Sequence, residues 1–367
     1  MTDFIPYSAA EITPEWLTHT LRKGGHIGDA RVLSIDRQTV GEGVGFLGEL
    51  TRLTLHYDRA VAGAPASIVS KMPTAFESAR TLGNAFRFYE REGRFYTDVA
   101  PEVRTRLPLC YGSVVDVEAD RYVLLLEDIQ AASVGDQLIG CTLEQAEIVV
   151  REAAGFHATW WESPQLKRFA TWMPTLADPL YDYLGPLWEE SWPAFLDFQA
   201  EDYPRDAITP IANRSLAVLE KTRAKAGALS HSIAHTDFRL DNMFFGDPKG
   251  EMPFVLIDWQ LTLRATPLID IGYFLSQSMD IDLRRDNEAR LLREYHAVLL
   301  DKGVRNYSFE QCWEEYRFGV VAMFVIPVTA AANVDSSNPR AVPLIRAMAE
   351  RATAAILDLD AGATLPD

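Results

Sequence analysis

Asp237, Asn242 and Asp258 are the residues of this sequence whose types and spacing suit the movement of a phosphoryl group. The first two lie in His235-Thr236-Asp237-Phe238-Arg239-Leu240-Asp241-Asn242, which runs on into Met243-Phe244-Phe245. The third lies in Phe254-Val255-Leu256-Ile257-Asp258-Trp259-Gln260. A carboxylate such as Asp237 accepts a proton from an attacking hydroxyl. Asn242 and Asp258 offer oxygen to a hard divalent cation, and magnesium needs few protein oxygens because phosphates and water complete its octahedron. The two apolar runs flank Gly246-Asp247-Pro248-Lys249-Gly250 and so read as strands joined by a turn. Such a hairpin brings Asn242, before the first strand, next to Asp258, after the second. A plain polar loop would not need an Asp ending an apolar run.

The elements that must position these groups can be followed along the chain. Thr13-Pro14-Glu15-Trp16 opens a lead-in helix, with Thr as cap and Pro at the first position. Val32 to Val40 and Leu50 to Tyr57 alternate as strands. Between them, Gly41, Gly43, Gly45 and Gly48 form a hairpin whose backbone amides can approach phosphate oxygens without side-chain interference. Ser67 to Lys71 is a third strand, and a Lys at a strand end is ordinarily a solvated edge residue. A helix over Asn84 to Val99 carries Glu90 and Glu92, and Gly93 inside it costs about 1 kcal/mol relative to Ala, which marks a close packing contact. Leu109 to Val115 and Tyr122 to Leu126 complete a five-stranded antiparallel sheet that ends at Glu127-Asp128-Ile129.

From Thr142 the chain turns helical. Thr142 with Gln145 forms a capping box, and Ala146, Val149, Val150, Ala153 and His157 follow at helical spacing, so His157 reads as a satisfied core histidine. Trp160, Trp161, Trp172, Trp188 and Trp192 form a dense aromatic group that is first of all core. Pro267 to Tyr273 begins another helix, and Glu288 to Lys302, Ser308 to Ile326 and Pro339 to Leu357 have helical periodicity.

At 367 residues the chain has room for two lobes around a cleft. With 48% hydrophobic and 24% charged residues it can bury a real core. A net charge of −17 argues against nucleic acid or an anionic membrane as partner, since both call for clustered Lys and Arg. Cys110, Cys141 and Cys312 are odd in number and far apart, so neither a disulfide framework nor a zinc site is expected. Met1 to Pro6 lacks a signal-peptide layout, and the apolar run Phe318 to Val334 contains Pro327 and reads as a buried helix. The expected location is the cytosol.

The pattern H-x-D-x-x-x-x-N, followed by a hydrophobic strand ending in Asp, resembles the protein-kinase-like small-molecule phosphotransferases. These include aminoglycoside phosphotransferases, choline kinases and the ecdysteroid-kinase-like group. The strings Ile257-Asp258-Trp259-Gln260 and Ile269-Asp270-Ile271-Gly272-Tyr273-Phe274-Leu275 resemble the ecdysteroid-kinase-like branch most, and the resemblance runs over about 32–334. It implies a bilobal α+β fold: a nucleotide-binding lobe over 1–129, with the five-stranded sheet and one main helix, and a mostly helical lobe over 130–367.

The resemblance also assigns roles. Asp237 would align the acceptor hydroxyl, and Asn242 and Asp258 would hold Mg2+ under ATP. Lys71 would neutralise the phosphates, held by Glu92, which the following Phe95-Tyr96 singles out over Glu90. Gly43 and Gly45 would lie over the phosphates, and backbone groups from Glu127 to Ile129 would meet the adenine edge. Arg239 occupies the place where protein kinases carry a Lys that reaches the γ-phosphate. Asp270 would brace the catalytic loop from behind. One departure is Thr236, where the family usually has Gly after the His.

The expected function is therefore ATP-dependent phosphorylation of a hydroxyl on a small molecule. The helical insert walls the acceptor pocket in this family, and an aromatic wall suits a bulky apolar alcohol. The acidic balance is compatible instead with a cationic amino alcohol or aminoglycoside. A non-catalytic nucleotide-binding pseudokinase is the rival on the same fold, although every expected polar residue is present. A protein kinase is the other, but the short route from Asp258 to Pro267 leaves no room for a long activation segment.

Overall fold

A computed structural model describes residues 4–40, 48–229, 232–247, 250, 252–332, 334 and 338–367. The chain divides into two compact units, one of Met1–Ala131 with Ile257–Leu261 and the other of Ala132–Leu256 with Thr262–Asp367. A segment late in the sequence thus returns to the first unit, and it carries Asp258.

In the first unit, α1 (Pro14–Lys23) starts as its sequence dictates: Pro14 opens it and the Thr13 side chain accepts a hydrogen bond from the Trp16 N–H. It buries Trp16, Leu17 and Leu21 against one face of a sheet built from β1 (Val32–Val40), β2 (Gly48–Tyr57), β3 (Ser67–Pro73), β4 (Cys110–Asp116) and β5 (Arg121–Glu127). The sheet order is β1-β2-β3-β5-β4, antiparallel throughout. Along β3, Ile68, Ser70 and Met72 are buried on alternate positions, and Ile68 and Met72 join the core under α1. Strand periodicity therefore sends Lys71 to the opposite face.

The helix expected over Asn84 to Val99 is broken. α2 (Glu77–Ala85) ends before Arg87, which takes a left-handed φ of 58°, and α3 (Phe88–Arg94) runs into a single π-helical turn over Phe95–Val99. The break lets α2 fold back so that Gly83 meets the Tyr89 ring, where a Cβ would lie 2.6 Å from a ring carbon. Arg80 and Asn84 of α2 then bind Asp120 in the β4–β5 turn, at 2.8 and 2.7 Å. Gly93 does mark close packing: a Cβ there would stand 2.4 Å from Val115 Cγ2 of β4.

The second unit is mostly helical. Its helices are α4 (Leu143–Trp160), α5 (Leu184–Phe198), α6 (Arg205–Ala217), α7 (Leu219–Ala228), α8 (Leu268–Ser278), α9 (Ile281–Asp301), α10 (Phe309–Ala322), α11 (Val325–Ala332) and α12 (Ala341–Asp358). The Thr142–Gln145 capping box forms, and so does a second one, Ser308 with Gln311, at α10. Every residue of α8 is buried, and it crosses α10 where Gly272 meets Gly319. The apolar run Phe318 to Val334 is not one helix, because the chain breaks between α10 and α11. By length and composition alone the helical stretch 309–332 could cross a membrane, and 56% of its most apolar window is buried. Short strands complete the unit: β6 (Ser133–Val134), β8 (Met243–Phe245) and β9 (Phe254–Leu256) form one sheet, and β7 (Ser232–Ala234) pairs with β10 (Leu263–Ala265).

Candidate functional site

In the first unit, β3, α3 and the returning segment converge on Lys71. Its Nζ lies 2.7 Å from Glu92 Oε2 and 2.9 Å from Asp258 Oδ1. Glu90, two residues earlier and on another side of α3, pairs with Arg87 and Arg94 instead, at 2.7 and 2.9 Å. The Lys71 and Glu92 side chains are only 14% and 5% exposed, so the pair must be neutralised from within. Burial alone would pull the Lys71 pKa down, but the charges of Asp258 and Glu92 overcome it and leave the pKa above its ordinary value. Burial pushes the Glu92 carboxyl up, and the nearby Asp258 charge adds to this against the pull of Lys71. Two carboxylates face one ammonium here, which leaves spare negative charge where a divalent cation would fit.

The returning segment is fixed by its aromatic residue. Trp259 stacks on Phe95 with centroids 3.9 Å apart and planes 8° from parallel, and its backbone N–H donates to Glu92. Asp258 itself has a left-handed φ of 67°. Of the other nucleotide-binding candidates, Gly43 and Gly45 lie outside the described residues. Glu127 is engaged elsewhere: its carboxylate takes Arg106 at 2.6 and 2.7 Å and the Leu109 N–H at 2.9 Å, and its own N–H bonds Leu109 O. Asp128 next to it binds Arg52, Ser67 and Gln130, and Ile129 is half-buried.

In the second unit the catalytic-loop candidates are held by α8. Asp270, fully buried, accepts the N–H groups of His235 and Thr236 at 2.7 and 2.8 Å. Its Oδ2 also lies 3.3 Å from His157 Nε2, whose Nδ1 meets the Tyr295 hydroxyl at 2.9 Å. His157 is thus a satisfied core histidine, and Asp270 braces the loop. Thr236 has φ 65°, a region where glycine carries no Cβ penalty, so the usual Gly at this position has a backbone reason.

Beyond the bend, Asn242 Nδ2 donates to Asp237 O at 2.9 Å and Asp237 Oδ2 at 2.8 Å. Both amide hydrogens are therefore spent on Asp237, which fixes the amide and leaves Oδ1 as an acceptor that could meet a metal. Arg239 lies along two carboxylates, 3.2 Å from Asp237 Oδ1 and 3.0 Å from Asp241 Oδ2. The expected hairpin forms, with Met243 paired to Leu256, so Asn242 directly precedes one strand and Asp258 follows the other by two residues. Among the described residues no group of three or more His, Cys, Asp or Glu is arranged to hold a metal.

Asp241 and Gln137 also hold the loop, and little in the sequence marks them. Gln137 Oε1 accepts the Leu240 N–H at 2.9 Å, and its own N–H donates to Asp241 Oδ1 at 3.0 Å. The only hint in the sequence was the charge alternation Asp237, Arg239, Asp241. Trp160, Trp172 and Trp188 are buried core, and Trp192 stacks on Phe195 with centroids 5.3 Å apart.

The sequence profile described as the ecdysteroid kinase-like family matches residues 42–305. A search of the curated proteins found no match. Solved structures share the fold at low identity. A putative aminoglycoside phosphotransferase from Ralstonia eutropha JMP134 aligns with a TM-score of 0.52 at 14% identity, covering 95% of this chain and 98% of that one. Choline kinase from Cryptosporidium parvum Iowa II gives 0.54 at 9% identity, covering 94% and 96%. The GDP complex of wild-type aminoglycoside 2'-phosphotransferase-IIIa gives 0.51 at 13% identity, covering 85% and 92%. The α+β protein-kinase-like architecture, and a profile that spans both the Lys71 strand and the Asp237 loop, agree on one placement: this chain belongs to the ecdysteroid kinase-like family.

Proposed function

We propose that the protein is a small-molecule kinase that moves the terminal phosphoryl group of ATP to a hydroxyl of its substrate. The observation that carries this reading is the Lys71 ammonium set between Glu92 and Asp258 at 2.7 and 2.9 Å. Lys71 meets the phosphate oxygens, and Glu92 keeps it aimed there. Gly43 and Gly45, which lie outside the described residues, are the candidates for backbone contact with the phosphates, and backbone groups between Glu127 and Ile129 are those for the base. Asn242 and Asp258 are the groups that would hold magnesium, which when bound would draw charge from the phosphates. Asp237 orients the substrate hydroxyl and takes its proton as the new oxygen–phosphorus bond forms and the bond to the ADP oxygen breaks. Arg239 steadies Asp237 and the charge on the transferred group. The family match and the GDP complex of a structural neighbour support nucleotide use.

For the acceptor, the aromatic residues between Trp160 and Phe198 favour a bulky apolar alcohol. The net charge of −17 favours a cationic amino alcohol or aminoglycoside as second reading. Three free thiols fit a reducing, cytosolic setting. The test is Asp237→Asn, assayed for ADP release against both classes of alcohol with ATP and magnesium. Nucleotide affinity is expected to hold while turnover falls by about 10²-fold or more. An unchanged rate would remove Asp237 from its role, and wild-type protein that turns over neither class would sink the kinase reading.

A further inference from the structure

Asp237 stands at one end of a row of alternating charges. Arg239 joins it to Asp241, and on the far side of Asp241 lies Arg340, at the N-terminal cap of α12. Arg340 grips Asp241 with both ends of its guanidinium, Nη2 at 2.8 Å from Oδ1 and Nη1 at 3.1 Å from Oδ2. The same Nη2 lies 2.8 Å from Asp136 Oδ1. The order from Asp237 to Asp136 is minus, plus, minus, plus, minus. The Asp241 side chain is only 9% exposed, and a carboxylate so placed must be neutralised. Arg340 does this in the two-point geometry that suits a carboxylate. With Asp241 so satisfied, Arg239 meets it through Nη1 and keeps Nε toward Asp237. Without Arg340, Asp241 would keep the Gln137 N–H on Oδ1 but lose one of its two guanidinium partners, and its pull on Arg239 would compete more strongly with that of Asp237.

We propose that Arg340 is a positioning residue for the transfer: by neutralising Asp241 it fixes the Arg239 guanidinium against Asp237 and so sets the orientation of the carboxylate that meets the acceptor. The inference rests on the kinase reading above. Arg340 lies beyond residue 305, where the match to the family profile ends, at the start of the C-terminal helix α12.

The test uses the full chain with Arg340→Gln, Arg340→Lys, Arg239→Gln and the double variant R239Q/R340Q. Two readouts are needed: ADP affinity by calorimetry, and ADP release from ATP and magnesium with the alcohols above or with water as acceptor. R340Q is expected to lower kcat by about tenfold or more through misplacement alone, with ADP affinity unchanged. R340K recovers part of the loss, because Lys keeps the charge but not the fork. The double variant is no slower than R239Q alone, because the effect passes through Arg239. Losses that multiply in the double variant, or R340Q at the wild-type rate, overturn the proposal. Wild-type protein with no turnover on any acceptor would instead sink the kinase reading. The row of charges is then judged by the same cycle in urea unfolding, where additive losses overturn it.

Discussion

Thr236 is a β-branched residue with φ 65°, and its neighbours decide why it stays there. Left-handed backbone costs an L-residue roughly 1–2 kcal/mol. Against that stand two charge-assisted hydrogen bonds from the His235 and Thr236 N–H groups to Asp270, at 2.7 and 2.8 Å, each worth about 1.5–3 kcal/mol. The bonds win, so the strain is held in place. Comparing Thr236→Gly with Thr236→Ala isolates the backbone term, because both variants lose the Thr hydroxyl and methyl. At an ordinary position Gly is less stable than Ala by roughly 0.5–1 kcal/mol. At this φ the order should invert, with Gly the more stable by about 1 kcal/mol, since only Ala keeps the strain. The assay is urea unfolding of both variants followed by circular dichroism, compared at equal slope so that midpoints report stability. An Ala variant as stable as the Gly variant, or more so, would refute the strained loop and with it the account of the Gly usual in the family.

Two further predictions concern the first unit. Asp128 has a side chain 3% exposed; burial raises its pKa, but hydrogen bonds from Arg52, Ser67 and Gln130 more than reverse this and hold it below the usual carboxylate range. A depressed folded pKa contributes stability that is present above the unfolded value of about 4 and lost as pH falls through the folded one. Asp128→Asn should therefore cost about 1–3 kcal/mol at pH 7, with the gap to wild type closing below about pH 4, and a gap constant with pH would contradict this. Gly93→Ala would press a Cβ to 2.4 Å from Val115 Cγ2, an overpacking cost of about 1–3 kcal/mol. Adding Val115→Ala should recover part of it, and a thermal-unfolding comparison showing no recovery would place the conflict elsewhere.

The sequence was most legible where a side chain announces its own local structure. Thr13 before Pro14, and Thr142 three residues before Gln145, predict helix starts because the capping bonds are local, and both form. The five strands of the sheet were legible from alternation and apolar runs, and Gly93 from the cost of Gly in a helix. The break at Arg87 was not, because it depends on Gly83 and Tyr89 meeting and on Asp120 binding Arg80 and Asn84 across 36 to 40 residues. The three-residue strands β7 and β10 carry too little pattern to show a period. The return of Ile257–Leu261 to the first unit was hidden for the same reason: the Phe95–Trp259 stack joins residues far apart in the chain. Arg340 shares Asp241 with Arg239 across about a hundred positions, and nothing in its local sequence marks it.

Both left-handed residues in the candidate site sit at a carboxylate proposed to act. Asp258 is one itself, at φ 67°, and Thr236 immediately precedes Asp237. In each case charge holds the bend: Asp270 takes the two N–H groups around Thr236, and the Lys71 ammonium takes Asp258 Oδ1. Strained backbone persists only where its surroundings over-determine it, and such positions gather at functional sites. The two bends differ in what could release them. Asp270 is fully buried and bonded to both N–H groups around Thr236, so the loop is held from within the protein. Lys71, by contrast, is shared between Glu92 and Asp258, and in the proposed reaction it must also meet phosphate. In that reading its hold on Asp258 is the contact that would exchange when nucleotide binds, while Glu92 and the Trp259 stack would keep the segment in place.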